Sequence, residues 1–133
     1  MRSPDLFNTV YLFSAKEAEE HTALLSPSMV IDLRLESDPS PGKAHIPMED
    51  GREGQQERIR EAVRLLVQCI AEENPVILHC QGGSSRTGCA AAALLLEKGS
   101  ASSVDEAESM LQKLRPSIAI SPALKNDLRS VYE

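Results

Sequence analysis

His79-Cys80-Gln81-Gly82-Gly83-Ser84-Ser85-Arg86-Thr87-Gly88 lies between two apolar runs, Val76-Ile77-Leu78 before it and Cys89-Ala90-Ala91-Ala92-Ala93-Leu94-Leu95-Leu96 after it. The first run is short, largely β-branched and preceded by the turn signal Asn74-Pro75, which predicts a buried strand. The second is longer and rich in Ala and Leu, which predicts a buried helix. The stretch between them is then a strand–loop–helix junction. A cysteine ends the strand, glycines sit in the loop and an arginine starts the helix. Backbone N–H groups in a glycine-containing turn and at a helix N-terminus converge on anions. The junction therefore predicts an anion cradle with a thiol at its floor.

Each residue type in the loop has a physical task. A helix N-terminus and a nearby cation favour the thiolate form of a cysteine, which is its nucleophilic form, so Cys80 is the candidate nucleophile. Gln81, Gly82, Gly83, Ser84 and Ser85 are the candidate phosphate-binding positions. The two glycines are expected to let the amides turn inward, where a Cβ would hinder them. Arg86 supplies a planar fork able to hold two phosphoryl oxygens and follow them into the transition state. Thr87 places a hydroxyl at the helix N-terminus. A buried cysteine before a Gly-Gly turn is by itself ordinary core packing. The adjacent His79, the arginine six residues on and the strand–loop–helix context, taken together, separate this cysteine from that background.

The stretch closely resembles the His-Cys-x5-Arg-Ser/Thr signature of cysteine-dependent protein tyrosine and dual-specificity phosphatases. That resemblance implies hydrolysis of phosphomonoesters through a cysteinyl-phosphate. It implies that Thr87 hydrogen-bonds the Cys80 sulfur and eases its departure. It also implies that His79 packs beneath the loop and tunes the thiol without shuttling protons. The family needs a proton donor for the leaving oxygen, an aspartate on a mobile loop about thirty residues before the cysteine in small members. His45-Ile46-Pro47-Met48-Glu49-Asp50-Gly51 is similar to that acid loop, and Asp50 stands thirty residues before Cys80. Asp50 is the candidate general acid, with Glu49 and Asp38 as rivals in exposed acidic loops. The tryptophan that opens the acid loop of larger members is absent, since the chain has no Trp. The resemblance extends over most of the chain, through Val30-Ile31-Asp32-Leu33-Arg34, the acid loop, the signature and Leu114-Arg115-Pro116.

The chain also departs from the family pattern. Ser117-Ile118-Ala119-Ile120-Ser121-Pro122-Ala123-Leu124 resembles a segment that in many members ends in a water-orienting glutamine. Leu124 stands there instead, followed by Lys125 and Asn126, so hydrolysis of the intermediate is expected to rest on Asp50. The lysines that phosphoinositide-directed members carry between Cys and Arg are missing, and no loop rich in Asn, Arg and Tyr for phosphotyrosine recognition is visible. A shallow pocket for phosphotyrosine follows, with phosphoserine and phosphothreonine as further candidates. The substrate is expected to be a phosphorylated protein or a small phosphomonoester, and no cofactor is implied. Two alternatives stand beside this reading. One is a catalytically weak phospho-binding module. The other is a sulfurtransferase- or arsenate-reductase-type cysteine enzyme, which would have no need of Asp50.

At 133 residues the chain is expected to form a single domain over 1–133. Its net charge of −6 argues against a nucleic-acid partner or an anionic membrane surface. Three cysteines cannot all pair, and the Cys80 chemistry needs a reduced thiol, so a reducing cytoplasm is expected. The protein is expected to act as a monomer. No apolar run approaches a membrane span, and the N-terminus lacks the apolar core of a signal peptide.

Along the chain, residues 8–13 read as a strand. Ser14 with Glu17 forms a capping box for a helix over 15–25. Strands follow at 29–34 and 44–46, separated by a Pro- and Gly-containing loop over 36–43. A long amphipathic helix spans 55–73, and the strand into Cys80 and a helix over 87–98 come next. Ser103 with Glu106 opens a helix ending before Pro116, and Ser121-Pro122 opens the last one. The alternation predicts an α/β fold with a mostly parallel sheet of about four to five strands and helices on both faces, and the resemblance implies that this fold is tyrosine-phosphatase-like. Ligands of such sheets sit beyond the C-terminal strand ends, where Cys80 falls. Asp32, a charge within an apolar strand, is expected to be structural and paired with Arg34. Cys69 and Cys89 are expected to pack in the core, with a protective disulfide to Cys80 under oxidation as a minor alternative. His21 and His45 lack metal-ligand spacing, and no metal site is expected.

Overall fold

The computed structural model describes residues 3–39 and 41–133; Met1 and Arg2, and Ser40 within the loop expected over 36–43, lie outside the described residues. In chain order the elements are β1 (Val10–Phe13), α1 (Ala15–Leu25), β2 (Met29–Arg34), β3 (Lys43–Met48), α2 (Gln56–Ala71), β4 (Val76–His79), α3 (Arg86–Glu97), α4 (Val104–Leu114) and α5 (Pro122–Tyr132). The sheet runs β1-β4-β2-β3 with every neighbouring pair parallel. β4 is interior, between β1 and β2, which is why its sequence is a continuous apolar run rather than an alternating one. Because the strands are parallel, the turns after β1, β2 and β4 all emerge at one edge of the sheet. The cysteine loop is built there.

Side chains alternate across the two faces with the pleat. Val10, Leu12, Ile31, Leu33, Val76 and Leu78 enter the larger core with α2, α3, α4 and α5, whereas Tyr11, Phe13, Val30 and Ile77 pack with Ala18 of α1. Helices thus cover both faces, as the alternating pattern predicts. The same alternation sorts the residues at the end of β4. His79 is in phase with Ile77, whereas Cys80 is in phase with Leu78 and joins the larger core, on the side where α3 begins. The Ala and Leu run of α3 is buried from Thr87 to Leu95, so it is the central helix of that core.

Four local details differ from the sequence expectation. β1 starts at Val10 rather than at 8, because Phe7 and Asn8 adopt positive φ (51° and 55°) in a turn closed by an antiparallel Leu6–Val10 bridge. β3 extends to Met48 and includes Pro47, which an edge strand tolerates because its outer N–H row is unpaired. The N-terminus of α2 has no local side-chain cap. Instead the buried Asp127 of α5 accepts the Gly54 and Gln55 N–H groups at 3.1 and 2.9 Å, a remote cap that joins α5 to α2. Finally, the Ser14–Glu17 capping box forms in full, but the second box is only half made. Ser103 accepts the Glu106 N–H, while the Glu106 carboxylate turns to the N–H and hydroxyl of Ser102.

Candidate active site

A cleft of about 290 Å³ opens at the C-terminal edge of the sheet, with Cys80, Gly82, Ser84, Ser85 and Arg86 of the loop on its floor and Asp50, Ala119 and Ser121 on its walls. The structure therefore brings Cys80, Arg86 and Asp50 together, although Asp50 comes from the segment after β3 and the other two follow β4. Cys80 is 2 % exposed. Its sulfur accepts a hydrogen bond from the Thr87 hydroxyl at 3.1 Å. Arg86 is oriented by Glu36, whose two carboxylate oxygens take its Nη1 and Nη2 at 2.7 and 3.0 Å, with the Met48 carbonyl 3.3 Å from Nη1. That fork-to-carboxylate bond holds the Glu36 carboxyl at about 2 and raises the Arg86 guanidinium further above its ordinary value. Two donors of the fork are committed to Glu36, and others remain for a phosphoryl group. A larger surface depression of about 480 Å³, bounded by Arg60, Arg64, Glu97 and Tyr132, contains no thiol. The Cys80 thiol lines the smaller cleft.

The loop is braced from beneath. Arg34 spans from Asp32 (Nε to Oδ1 3.0 Å, Nη2 to Oδ2 2.9 Å) to the Gln81 side chain (3.1 Å), tying β2 to the residue after Cys80. Burial works to raise the Asp32 carboxyl. The Arg34 guanidinium, the Arg34 N–H and the Ser37 hydroxyl outweigh it and hold Asp32 at about 2. Asp32 is thus structural and paired with Arg34, as expected. Burial pushes the His79 imidazole below its ordinary value; Nδ1 lies 3.2 Å from the Cys80 carbonyl, and Nε2 is buried without a hydrogen-bond partner among the described residues. A neutral, enclosed ring of this kind packs and does not relay protons to solvent.

Arg115 laces the other side of the loop. Its guanidinium donates to the Gly83 carbonyl (2.8 Å), the Leu12 carbonyl (3.2 Å) and Glu17 (2.7 Å). This close approach decides which loop glycine is needed. Gly83 has φ +71°, and a Cβ there would lie 2.5 Å from Arg115 Nη2, 2.7 Å from the Ser14 nitrogen and 2.8 Å from the Phe13 carbonyl carbon. Gly82 has no positive φ and nothing within 4 Å of such an atom, so the expectation that both positions require glycine holds only for Gly83. Gly83→Ala is expected to destabilise the fold by about 2–4 kcal/mol, from left-handed strain plus backbone overlap. Gly82→Ala is expected to cost less than about 0.5 kcal/mol. Urea midpoints at unchanged slope measure both. Equal midpoints for the two variants would contradict this reading of the loop.

The remaining candidates divide cleanly. Glu49 faces Arg52 (3.5 Å) and gives its N–H to the Gln55 side chain (3.0 Å). Asp38 is exposed and, like Glu49, does not line the cleft. Gln81 is exposed beside the cleft, and Gly83 is buried below it. Leu124 is buried in the core, Lys125 pairs with Glu108 (2.8 Å) and Asn126 with Glu53 (3.2 Å). Among the described residues no amide side chain lines the cleft. Cys69 and Cys89 are buried free thiols that burial pushes up, so they are poor nucleophiles. His21 stacks on Phe13, and His45 lies 2.6 Å from the Arg34 carbonyl. Sequence reasoning missed Glu36, Ser121 and the loop-bracing function of Arg115. Only Arg115 carried a signal, as the middle of Leu114-Arg115-Pro116.

Comparison with known proteins agrees with this architecture. The family model described as "Dual specificity phosphatase, catalytic domain" matches residues 10–133. A sequence comparison with curated proteins finds no significant match. Among solved structures, human DUSP28 is similar with a TM-score of 0.78 at 18% identity, over 96% of this chain and 91% of that one. OH1 from the Orf virus, described as a tyrosine phosphatase with triple substrate specificity, gives a TM-score of 0.76 at 20% identity, over 99% and 85%. PTPMT1, solved in complex with PI(5)P, gives 0.79 at 18% identity, over 97% and 92%. The chain belongs to the dual-specificity phosphatase catalytic-domain family and is a cysteine-dependent phosphatase.

Proposed function

We propose that this protein hydrolyses phosphotyrosine, with phosphoserine and phosphothreonine as further substrates, through a cysteinyl-phosphate on Cys80. The observation that carries the reading is the Thr87 hydroxyl donating to the Cys80 sulfur at 3.1 Å, in a cleft that Arg86 and Asp50 also line. In the first step the Cys80 thiolate attacks phosphorus, the ester P–O bond breaks and Asp50 gives its proton to the leaving oxygen. Arg86 and the loop N–H groups bind the equatorial oxygens throughout. In the second step water attacks phosphorus and gives a proton to Asp50 as the P–S bond breaks. The Thr87 hydroxyl then stabilises the departing thiolate. With Leu124 buried, Asp50 is the group that activates this water.

Nothing cationic stands between Cys80 and Arg86, which favours a phosphoprotein over a polyanionic inositol lipid. We also infer that residues 1–133 work as one domain and as a monomer in a reducing cytoplasm. The three cysteines are free and, among the described residues, no helix is long and apolar enough to cross a membrane. The test is turnover of phosphotyrosyl, phosphoseryl and inositol phosphate substrates by the purified protein. The phosphotyrosyl peptide is expected to give the highest kcat/KM, and a clear preference for inositol phosphates would overturn the substrate assignment. Arg86→Lys keeps the charge and loses the two-pronged geometry, so it is expected to lower kcat/KM on an aryl phosphate roughly 10²–10³-fold. Near-native kcat/KM in that variant would mean that Arg86 is structural.

A further inference from the structure

Ser85 is the N-cap of α3, where a serine hydroxyl ordinarily accepts an N–H of the first helical turn. Here its side chain makes no capping bond, and its backbone is helical (φ −92°, ψ −59°) rather than extended. The hydroxyl is engaged elsewhere. It accepts the Ser121 N–H at 2.9 Å and donates to Asp50 Oδ1 at 2.6 Å. Two things follow from this diversion. The first-turn N–H groups of α3 are left for an anion in the cleft. The acid loop is pinned at a second point, one residue beyond the Glu49 N–H that Gln55 holds.

We propose that the Ser85 side chain is a positioning residue for proton transfer, directing the acidic proton of Asp50 onto Oδ2 and aiming that oxygen at the leaving group. A hydroxyl has a single proton to donate. The Ser121 N–H occupies an acceptor site on Oγ, so the hydroxyl proton lies toward Asp50. Oδ1 accepts it and carries no proton of its own, which leaves Oδ2 as the O–H of the acid form. In the first step that proton passes from Oδ2 to the ester oxygen as the P–O bond breaks. In the second, Oδ2 takes a proton from the attacking water as the P–S bond breaks, while the Ser85 bond keeps the carboxylate from rotating. Ser121 takes part in this contact through its backbone N–H, while its own hydroxyl caps α5 by accepting the Leu124 N–H. The proposal rests on Asp50 being the acid, and the experiment separates the two claims.

The experiment compares Ser85→Ala, Ser85→Cys, Ser85→Thr, Asp50→Asn and Ser85→Ala/Asp50→Asn on a phosphotyrosyl peptide and on p-nitrophenyl phosphate. Loss of a hydrogen bond to a charged group, with the misplacement that follows, is expected to lower kcat/KM on the peptide about 10- to 100-fold in Ser85→Ala. On p-nitrophenyl phosphate, whose leaving group needs little protonation, the loss is expected to stay below about 3-fold. Ser85→Cys, nearly isosteric but a weak donor, should show the same substrate-dependent loss and serves if the alanine variant folds poorly. Ser85→Thr should restore most of the activity, and the double variant should be no slower than Asp50→Asn alone. Equal losses on both substrates, no loss at all, or losses that multiply in the double variant would overturn the positioning role and leave Asp50 in place. An Asp50→Asn variant without leaving-group dependence would overturn the acid assignment and the proposal with it.

Discussion

Cys80→Ser is expected to lower turnover by roughly 10⁴-fold or more on every phosphomonoester, because the mechanism has no other nucleophile. A serine hydroxyl has nearly the shape of the thiol but does not ionise near neutral pH, so attack on phosphorus fails. The cradle should survive the change. Arg86 stays held by Glu36, Gly83 stays braced by Arg115, and the Thr87 hydroxyl keeps a hydrogen-bond partner in place of the sulfur. The far-ultraviolet circular dichroism spectrum and the urea midpoint should match the native protein. Vanadate, phosphate or tungstate should still bind, as measured by calorimetry. Activity within tenfold of native in pure Cys80→Ser would exclude covalent catalysis by this residue.

Asp50→Asn is expected to carry the second-largest effect, and its size should depend on the substrate. A general acid matters most when the departing oxygen is basic, so hydrolysis of a phosphotyrosyl peptide should slow by roughly 10²–10⁴-fold. With p-nitrophenyl phosphate the loss should be much smaller, since the leaving phenolate is already stable. Glu49→Gln and Asp38→Asn change the charge by the same amount and are expected to leave kcat/KM nearly unaltered on both substrates. Glu49 faces Arg52 and Asp38 is exposed, and neither lines the cleft. If one of those controls showed the leaving-group dependence and Asp50→Asn did not, the acid would be that residue. The same comparison discriminates a sulfur-transfer or arsenate-reducing enzyme, which would be indifferent to Asp50→Asn.

What could be read in the sequence was local. The strand into Cys80, the helix after it and the loop between them follow from periodicity, β-branching and glycine over some twenty residues. The Ser14–Glu17 capping box and the Asp32–Arg34 pair lie within five residues of chain, and both formed as expected. The turn before β1 was misread because Phe7 and Asn8 take left-handed backbone without glycine, which propensity does not anticipate. The edge position of β3 was equally hidden, and the strand that forms, Lys43–Met48 with Pro47 in it, is longer than the one expected over 44–46.

The unread part was what folding brings together from afar. Glu36 reaches Arg86 across fifty positions, and Asp127 caps α2 from more than seventy positions away. Arg115 meets Leu12 and Glu17 near the other end of the chain. Glu36 and Asp127 are acidic side chains in an unremarkable local context, and nothing in periodicity or spacing separates such a residue from a solvated surface charge; Arg115 stood out only as the middle of Leu114-Arg115-Pro116. Gly82 and Gly83 show the same limit at close range. Their adjacency suggested one shared purpose, whereas only the packing of Arg115 and the end of β1 against Gly83 distinguishes the position where a side chain has no room.

The central claim is a covalent bond between phosphorus and the Cys80 sulfur, and rapid-quench mass spectrometry of a single turnover tests it most directly. Native protein mixed with excess phosphotyrosyl peptide and quenched within the first turnover should yield a peptide containing Cys80 with the added mass of one phosphoryl group. Its yield should rise to a steady level in step with the burst of released tyrosyl peptide, and the adduct should be absent from Cys80→Ser. Full turnover with no burst, and with no phosphorylated Cys80 at any quench time, would contradict the account and leave direct transfer of the phosphoryl group to water.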